Sequence, residues 1–185
     1  MSAESRNDLL ERVVAANSSY YTMQRDYTFA GETFPAYGEF HTAGEQYVLV
    51  KRAKLWEVNT HDYLFFMSLP SLSVEELNKA VEFMTTQAIR KVSPGPDHMS
   101  SALSLVILAD VIDEEASKAL KKVKFRKNYL LSIHGWSDLR VAAVNFSAPQ
   151  GSQLISNSMG KPLIEMLEGN LELTNKQLYE RYRQV

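Results

Sequence analysis

Cysteine is missing altogether from the 185 residues. That excludes disulfide scaffolds, thiolate zinc sites, iron–sulfur ligation and a cysteine nucleophile, and it suits a reducing compartment. Long apolar runs are missing too. The longest, Leu103 to Ala109, carries Ser104 and stops at Asp110, far short of a bilayer span. Neither charge sign dominates: 20 Lys and Arg against 22 Asp and Glu leave a formal net charge of −2. Nucleic acid is therefore disfavoured as a partner, and only a local basic patch keeps it open. The stretch Met1 to Asp8 is polar, without an apolar signal core, which predicts a cytoplasmic protein with no membrane partner. No repeat, low-complexity tract or long Pro/Gly/Ser linker divides the chain. One domain is expected over 1–169, with 170–185 as a helical arm or tail poor in core-grade residues.

Several chemical signatures fail at a named residue. Gly160-Lys161 is followed by Pro162, and Ile155 stands where a phosphate loop needs its first glycine. Gly135-Trp136-Ser137 begins a hydrolase elbow, but Leu139 replaces the second glycine. None of the eleven lysines has Asp or Glu two positions before it, as a metal-dependent nuclease core often has. No cofactor motif remains.

What is present is globular. Apolar residues make up 45% and charged residues 23%, near the averages of folded domains. Leu9, Val13, Ala16 and Tyr20 recur at helical spacing and predict a helix over 5–24. The aromatic stretch 26–45 is interrupted by Gly31, Pro35, Gly38 and Gly44, and is expected to be loop and short strand. Strands are predicted near 46–57 and 62–69, turning at Asn59 to Asp62 and stopping at Pro70. Ser73 and Glu76 form a capping box ahead of Leu77, Ala80, Val81 and Met84, and Ser93 to Pro96 ends that helix. Ala102 to Ile112 reads as a strand covered on both faces. Asp113 caps the next helix, whose inner stripe is Ala116, Ala119, Leu120 and Val123. Strands near 128–134 and 139–146 flank a turn at Gly135 to Asp138. A short strand at 152–156, a brief helix at 161–167 and a last helix capped by Thr174 complete the order. The fold class is α+β: a single-domain mixed β-sheet of two hairpins and a strand–helix–strand crossover, packed with helices.

Candidate site residues are sparse. The four histidines His41, His61, His98 and His134 are too far apart in sequence for a short-range metal pair. No metal is expected, and a site assembled from His41, His98 and a carboxylate is the remaining alternative. Asp97-His98 lies at the entrance to the central strand, where Asp97 would orient His98 as a base or ligand, although a turn Asp beside a half-buried, hydrogen-bonded His is the favoured reading. Trp136, Asp138 and Arg140 form a second group, in which Arg140 grips an anion or pairs with Asp138, although a hairpin turn whose Trp packs on the sheet is the favoured reading. An enzyme reading requires His41, His98, Trp136, Asp138 and Arg140 to converge on one pocket. A nucleic-acid reading rests on Lys118, Lys121, Lys122 and Lys124, with Arg126 and Lys127 following. The bland alternative is a solvated helix face whose cations complement the helix dipole. Lys51, Arg52 and Lys54 read as lysine protection of an edge strand or as a ligand group.

Five segments carry a resemblance: Phe40-His41 through Tyr47, Asp97 to Ser101, Lys121 to Phe125, Gly135 to Arg140, and Asn157 to Lys161. They are similar to a family of uncharacterised bacterial proteins, found mainly in clostridia-type Firmicutes. Asp97 stands where that pattern often has glutamate. The resemblance spans about residues 5–165 and implies a stand-alone bacterial domain, with no catalytic residue to transfer. The leading functional expectation is a binding or interaction module acting as a homo-oligomer, with exposed aromatics of the 20–40 stretch and the tail as its dimer surface.

Overall fold

A computed structural model describes residues 3–41, 59–95 and 98–183. It is a three-layer α+β domain built on one mixed seven-stranded sheet. The elements are α1 (Ala3–Asn17), β1 (Thr22–Phe29), β2 (Glu32–His41), β3 (Asn59–Leu72), α2 (Val74–Thr86), β4 (His98–Ile112), α3 (Glu114–Lys122), β5 (Arg126–Asn128), β6 (Trp136–Asn145), β7 (Leu154–Ser156) and α4 (Lys161–Arg183). The sheet order is β1-β2-β3-β4-β6-β5, with β7 also on β6. β3, β4 and β6 are parallel, and the other pairs are antiparallel.

The centre follows from hydropathy. β4 is almost wholly buried from Ala102 to Ala109, as a strand between two helical layers must be. Leu103, Leu105 and Ile107 face Leu77, Ala80 and Met84 of α2 and Ala116 and Leu120 of α3. Val106 and Leu108 face Leu9, Leu10 and Val13 of α1 and Leu163, Leu167 and Leu171 of α4. Both crossovers, β3–α2–β4 and β4–α3–β6, put their helix on the same face, because strand order advances in one direction and crossover hand is fixed. The Ser73–Glu76 capping box is formed, with Glu76 N–H donating to Ser73 Oγ at 3.2 Å and Ser73 N–H to Glu76 Oε2 at 3.0 Å.

Several boundaries differ from expectation. α1 stops at Asn17, not near 24. Asn17 Nδ2 donates to the Val13 carbonyl and Ser18 Oγ to that of Ala15, so side chains satisfy the last turn. Up to His41, the described part of the 26–45 stretch is not irregular: it belongs to the β1–β2 hairpin, closed by Ala30 (φ 52°) and Gly31 (φ 87°). Two positive φ values are the signature of the tight hairpin turn that matches strand twist. The expected turn at Asn59 to Asp62 lies inside β3, bonded to β2 and β4. The expected strand at 46–57 lies outside the described residues, apart from which β3 runs past Pro70 to Leu72. Its pairing to β2 ends at Phe66, so the missing proline N–H falls on an open side. Asp113 stands at the start of α3, but its side chain makes no capping bond. α2 ends at Thr86, followed by a 3-10 turn at Ala88–Lys91, before the proline cluster.

At the C-terminal end, the two expected helices are one. α4 crosses Gly169 and the 169/170 boundary without a break. Thr174 does not cap a new helix: its hydroxyl donates back to the Asn170 carbonyl at 2.9 Å. Leu171 and Thr174 are buried on the body. The aromatics offered as a dimer surface largely turn inward, since Phe34 and Tyr37 are buried and Tyr27 stacks on Tyr37. Among the described residues no helix is long and apolar enough to cross a membrane.

Candidate functional site

Polar side chains gather at one end of the sheet, where β2 finishes and β3, β4 and β6 begin. On the face covered by α2 and α3, strand alternation brings Glu39 and His41 beside Tyr63 and His61. His41 Nε2 is 3.1 Å from Glu39 Oε2, and His41 Nδ1 is 2.8 Å from His61 Nδ1. Glu39 also accepts from Lys91 Nζ at 2.9 Å and from the Tyr37 hydroxyl. Partial burial pushes the Glu39 carboxyl up, but donors from Tyr37, Lys91 and His41 outweigh it and hold the group at about 2. With both imidazoles neutral and Glu39 ionised, His41 Nε2–H donates to Glu39 Oε2, His41 Nδ1 accepts from His61 Nδ1–H, and His61 Nε2 is left as an unprotonated nitrogen. Burial, then the neighbouring His41 and His98, lower the pKa of His61 and keep it neutral.

His98 is buried, and both its ring nitrogens are engaged. Nδ1 lies 2.7 Å from the His134 carbonyl, so it carries the proton, and Nε2 is 2.8 Å from Ser101 Oγ. His98 therefore works as a strut between β4 and the segment that precedes β6. That segment, Tyr129 to Gly135, is a narrow finger. Tyr129 N–H donates to Gly135 at 2.9 Å, His134 N–H to Tyr129 at 3.2 Å, and the Tyr129 hydroxyl meets Ser137 Oγ at 2.9 Å. Gly135 is obligatory: a Cβ there would sit 2.0 Å from the Met99 carbonyl oxygen, at φ 73°. The finger tip is apolar. Leu130, Leu131 and Ile133 are 62%, 94% and 70% exposed. Leu130 (φ 45°), Leu131 (φ 53°) and Ser132 (φ 71°) all have left-handed backbones. Such geometry favours glycine and asparagine, and each leucine there costs about 1–2 kcal/mol.

The opposite face carries ion pairs. Asp62 and Asp138 flank the small Ala102 in register across three strands. Asp138 accepts from Arg126 Nε at 2.6 Å and Nη2 at 2.8 Å, and from Trp136 Nε1 at 3.1 Å. Asp62 Oδ2 accepts from the Tyr21 hydroxyl at 3.0 Å and Arg140 Nη1 at 3.3 Å. Burial raises the Asp62 pKa, against Ser104, Arg140 and Tyr21. Asp62 Oδ1 and Ser104 Oγ are buried with no partner at hydrogen-bond geometry, although the Ser104 hydroxyl is near enough to favour the carboxylate.

The expected residues are thus divided. His41 and His98 share a face and are bridged by His61, whose ring centroid lies 5.0 Å from one and 6.0 Å from the other. Trp136, Asp138 and Arg140 lie on the other face, so the five-residue pocket does not assemble. Arg140 pairs with Asp62 rather than Asp138. Asp97, Lys51, Arg52 and Lys54 lie outside the described residues. Lys118 is tied to Glu114 and Glu115, whereas Lys121, Lys122 and Lys124 are exposed without an ion pair among the described residues. The 128–134 strand is a correction: only Arg126–Asn128 pairs, and the apolar run after it is the finger. Sequence reasoning missed Glu39, His61, Lys91 and Asp62. The Glu39-x-His41 alternation was a usable signal, because strand period puts both on one face; Lys91 comes from a distant turn and gave none.

Among the described residues no group of three or more His, Asp or Glu is placed to hold a metal ion. An open groove lined by Gln153, Leu154, Ile164 and Leu171 lies beside α4 and contains none of these residues. The family model described as "Domain of unknown function (DUF8052)" matches residues 5–169, and the chain belongs to that family. No curated protein and no solved structure matches.

Proposed function

We propose that this domain is a binding module of the bacterial cytoplasm, working as a homo-oligomer and engaging its partner through the 129–135 finger. One observation carries the reading: leucines occupy a tight left-handed tip where neither turn geometry nor packing asks for them. An exposed aliphatic cluster on a braced loop is the mark of a contact element. Burying a Leu or Ile fully is worth about 1.5–3 kcal/mol, so three of them give a partner a substantial anchor. The absence of cysteine supports a reducing compartment.

Self-association is supported by β1. It is the outer strand of the sheet order, and Tyr20 beside it is exposed. An edge strand presents unpaired backbone groups that a second copy can match in an antiparallel, two-fold arrangement. Light scattering at micromolar concentration is expected to give a dimer, and a strict monomer removes that part of the proposal. The finger is tested by placing a photo-crosslinking residue at position 131 in cells. Adducts well above those at an exposed control position on α2 are expected. No adduct beyond the control removes the finger as a contact element.

A further inference from the structure

Resting on the reading of the finger as a contact element, we infer that its partner is an anionic lipid surface, met peripherally and without a spanning segment, which departs from the expectation of no membrane partner. Between Glu115 and Asp138 the sequence holds Lys118, Lys121, Lys122, Lys124, Arg126 and Lys127 and no acidic residue. The chain as a whole is at −2, so the rest of the protein is net acidic and the cations are concentrated in the segment that leads into the finger. Lys121, Lys122, Lys124 and Lys127 are exposed, and none has an ion pair among the described residues. Lys127 is three residues from Leu130, within about 10 Å by backbone reach. Met99, packed under Gly135, adds another exposed apolar side chain at the base.

Aliphatic tip and cationic root together make an amphiphilic probe. Leu130, Leu131 and Ile133 enter the boundary between headgroups and acyl chains while the lysines meet lipid phosphates. Two other occupants fit this arrangement less well. A second copy docked finger to finger across a two-fold axis would bring two lysine clusters together. Single-stranded nucleic acid needs aromatic faces at the tip for stacking, and the aromatics at the base are engaged, Tyr129 by His98 at 5.7 Å and Lys127 at 5.5 Å and Trp136 by Arg126 at 5.5 Å. His98 acts here as a positioning residue. Its bond to the His134 carbonyl fixes the finger's base, so the apolar tip is held out rather than folded back onto the body.

The test is sedimentation of the full chain with vesicles of phosphatidylcholine alone and with about 30% phosphatidylglycerol added. Binding to the anionic vesicles, absent on neutral ones and falling as salt rises, is expected. Leu131→Asp should weaken it roughly tenfold or more. A Lys122→Glu, Lys124→Glu, Lys127→Glu variant should weaken it roughly a hundredfold. Both changes lie at exposed positions, and far-UV circular dichroism checks that each variant is folded. Equal binding to both vesicle types, no binding to either, or binding unaffected by Leu131→Asp overturns the inference. So does salt-sensitive RNA binding by a chain that ignores vesicles. Crosslinking at position 131 separates the two levels of the argument. Adducts to protein rather than lipid overturn the lipid partner and leave the finger standing, while no adduct removes both.

Discussion

Two carboxylates sit at the same end of the same sheet, on opposite faces, and their surroundings treat them in opposite ways. Glu39 is partly exposed and receives donors from Tyr37, Lys91 and His41, so its charge is favoured. Asp62 is buried, has one oxygen without a partner, and is driven toward its neutral form in spite of Arg140. Hydrogen bonds outweigh desolvation in the first case, and desolvation outweighs an ion pair in the second. Sheet geometry delivers both residues to the same height, but the number of donors decides what each can do. The Glu39 face therefore ends in a polarised imidazole chain. The Asp62 face is closed on itself by arginines.

The strongest way to break that contrast is to remove Arg140. Arg140→Ala leaves Asp62 buried beside an empty place, and should cost about 3 kcal/mol in urea unfolding at neutral pH. Asp62→Asn keeps the shape without the charge and should cost less than half as much. If Arg140→Ala is harmless at neutral pH, Asp62 is already neutral and the ion pair contributes nothing. Next in size is Glu39→Gln, expected to cost about 1–2 kcal/mol through the donors it leaves poorly matched. The acid limb sharpens the comparison. A carboxylate lowered to about 2 contributes stability that is present above its unfolded value and lost as pH falls through about 2. His61, lowered as well, acts in the same direction below its unfolded value. Asp62, raised, has the opposite sign, and its contribution is lost as pH rises through its folded value. Glu39→Gln should therefore flatten the acid limb of stability against pH, whereas Asp62→Asn should flatten the loss on the alkaline side of the Asp62 titration.

His98→Ala comes third. Loss of the strut should cost about 1–2 kcal/mol, and amide exchange should quicken at Tyr129 to Gly135 more than in β4. A uniform rise across the sheet would show His98 to be a core residue and nothing more.

The sequence reading was strongest where one local signal decided the outcome. β4 declared itself through an unbroken apolar run, and α2 through a capping box that needs only four residues. It was weakest where tertiary pairing overruled local punctuation. Gly38 looked like a breaker, yet it lies inside β2, paired with Met23 of β1 and Leu64 of β3. Pro70 looked like a stop, yet the pairing to β2 ends at Phe66 and among the described residues β3 has no further neighbour on that side. The site was half legible for the same reason. His98 and Asp138 were visible as chemistry, but the face each occupies depends on register, and register places Trp136, Asp138 and Arg140 away from His98. Leu130 to Ile133 was misread because apolar residues in a row suggest a strand, and only backbone geometry turns the run into a finger.

The smallest expected effect is the most telling for function. Leu131 is 94% exposed, so Leu131→Asp removes almost no packing and should change unfolding stability by no more than about 0.5 kcal/mol. Leu131→Gly goes further: glycine relieves the left-handed strain at φ 53° and should be neutral or stabilising by a few tenths to about 1 kcal/mol, offset in part by the entropy of a freer unfolded chain. A fold that gains or loses nothing when its tip leucine is replaced does not need that leucine. If either variant instead destabilises by several kcal/mol, Leu131 packs in solution, and the contrast between a braced root and an idle apolar tip collapses.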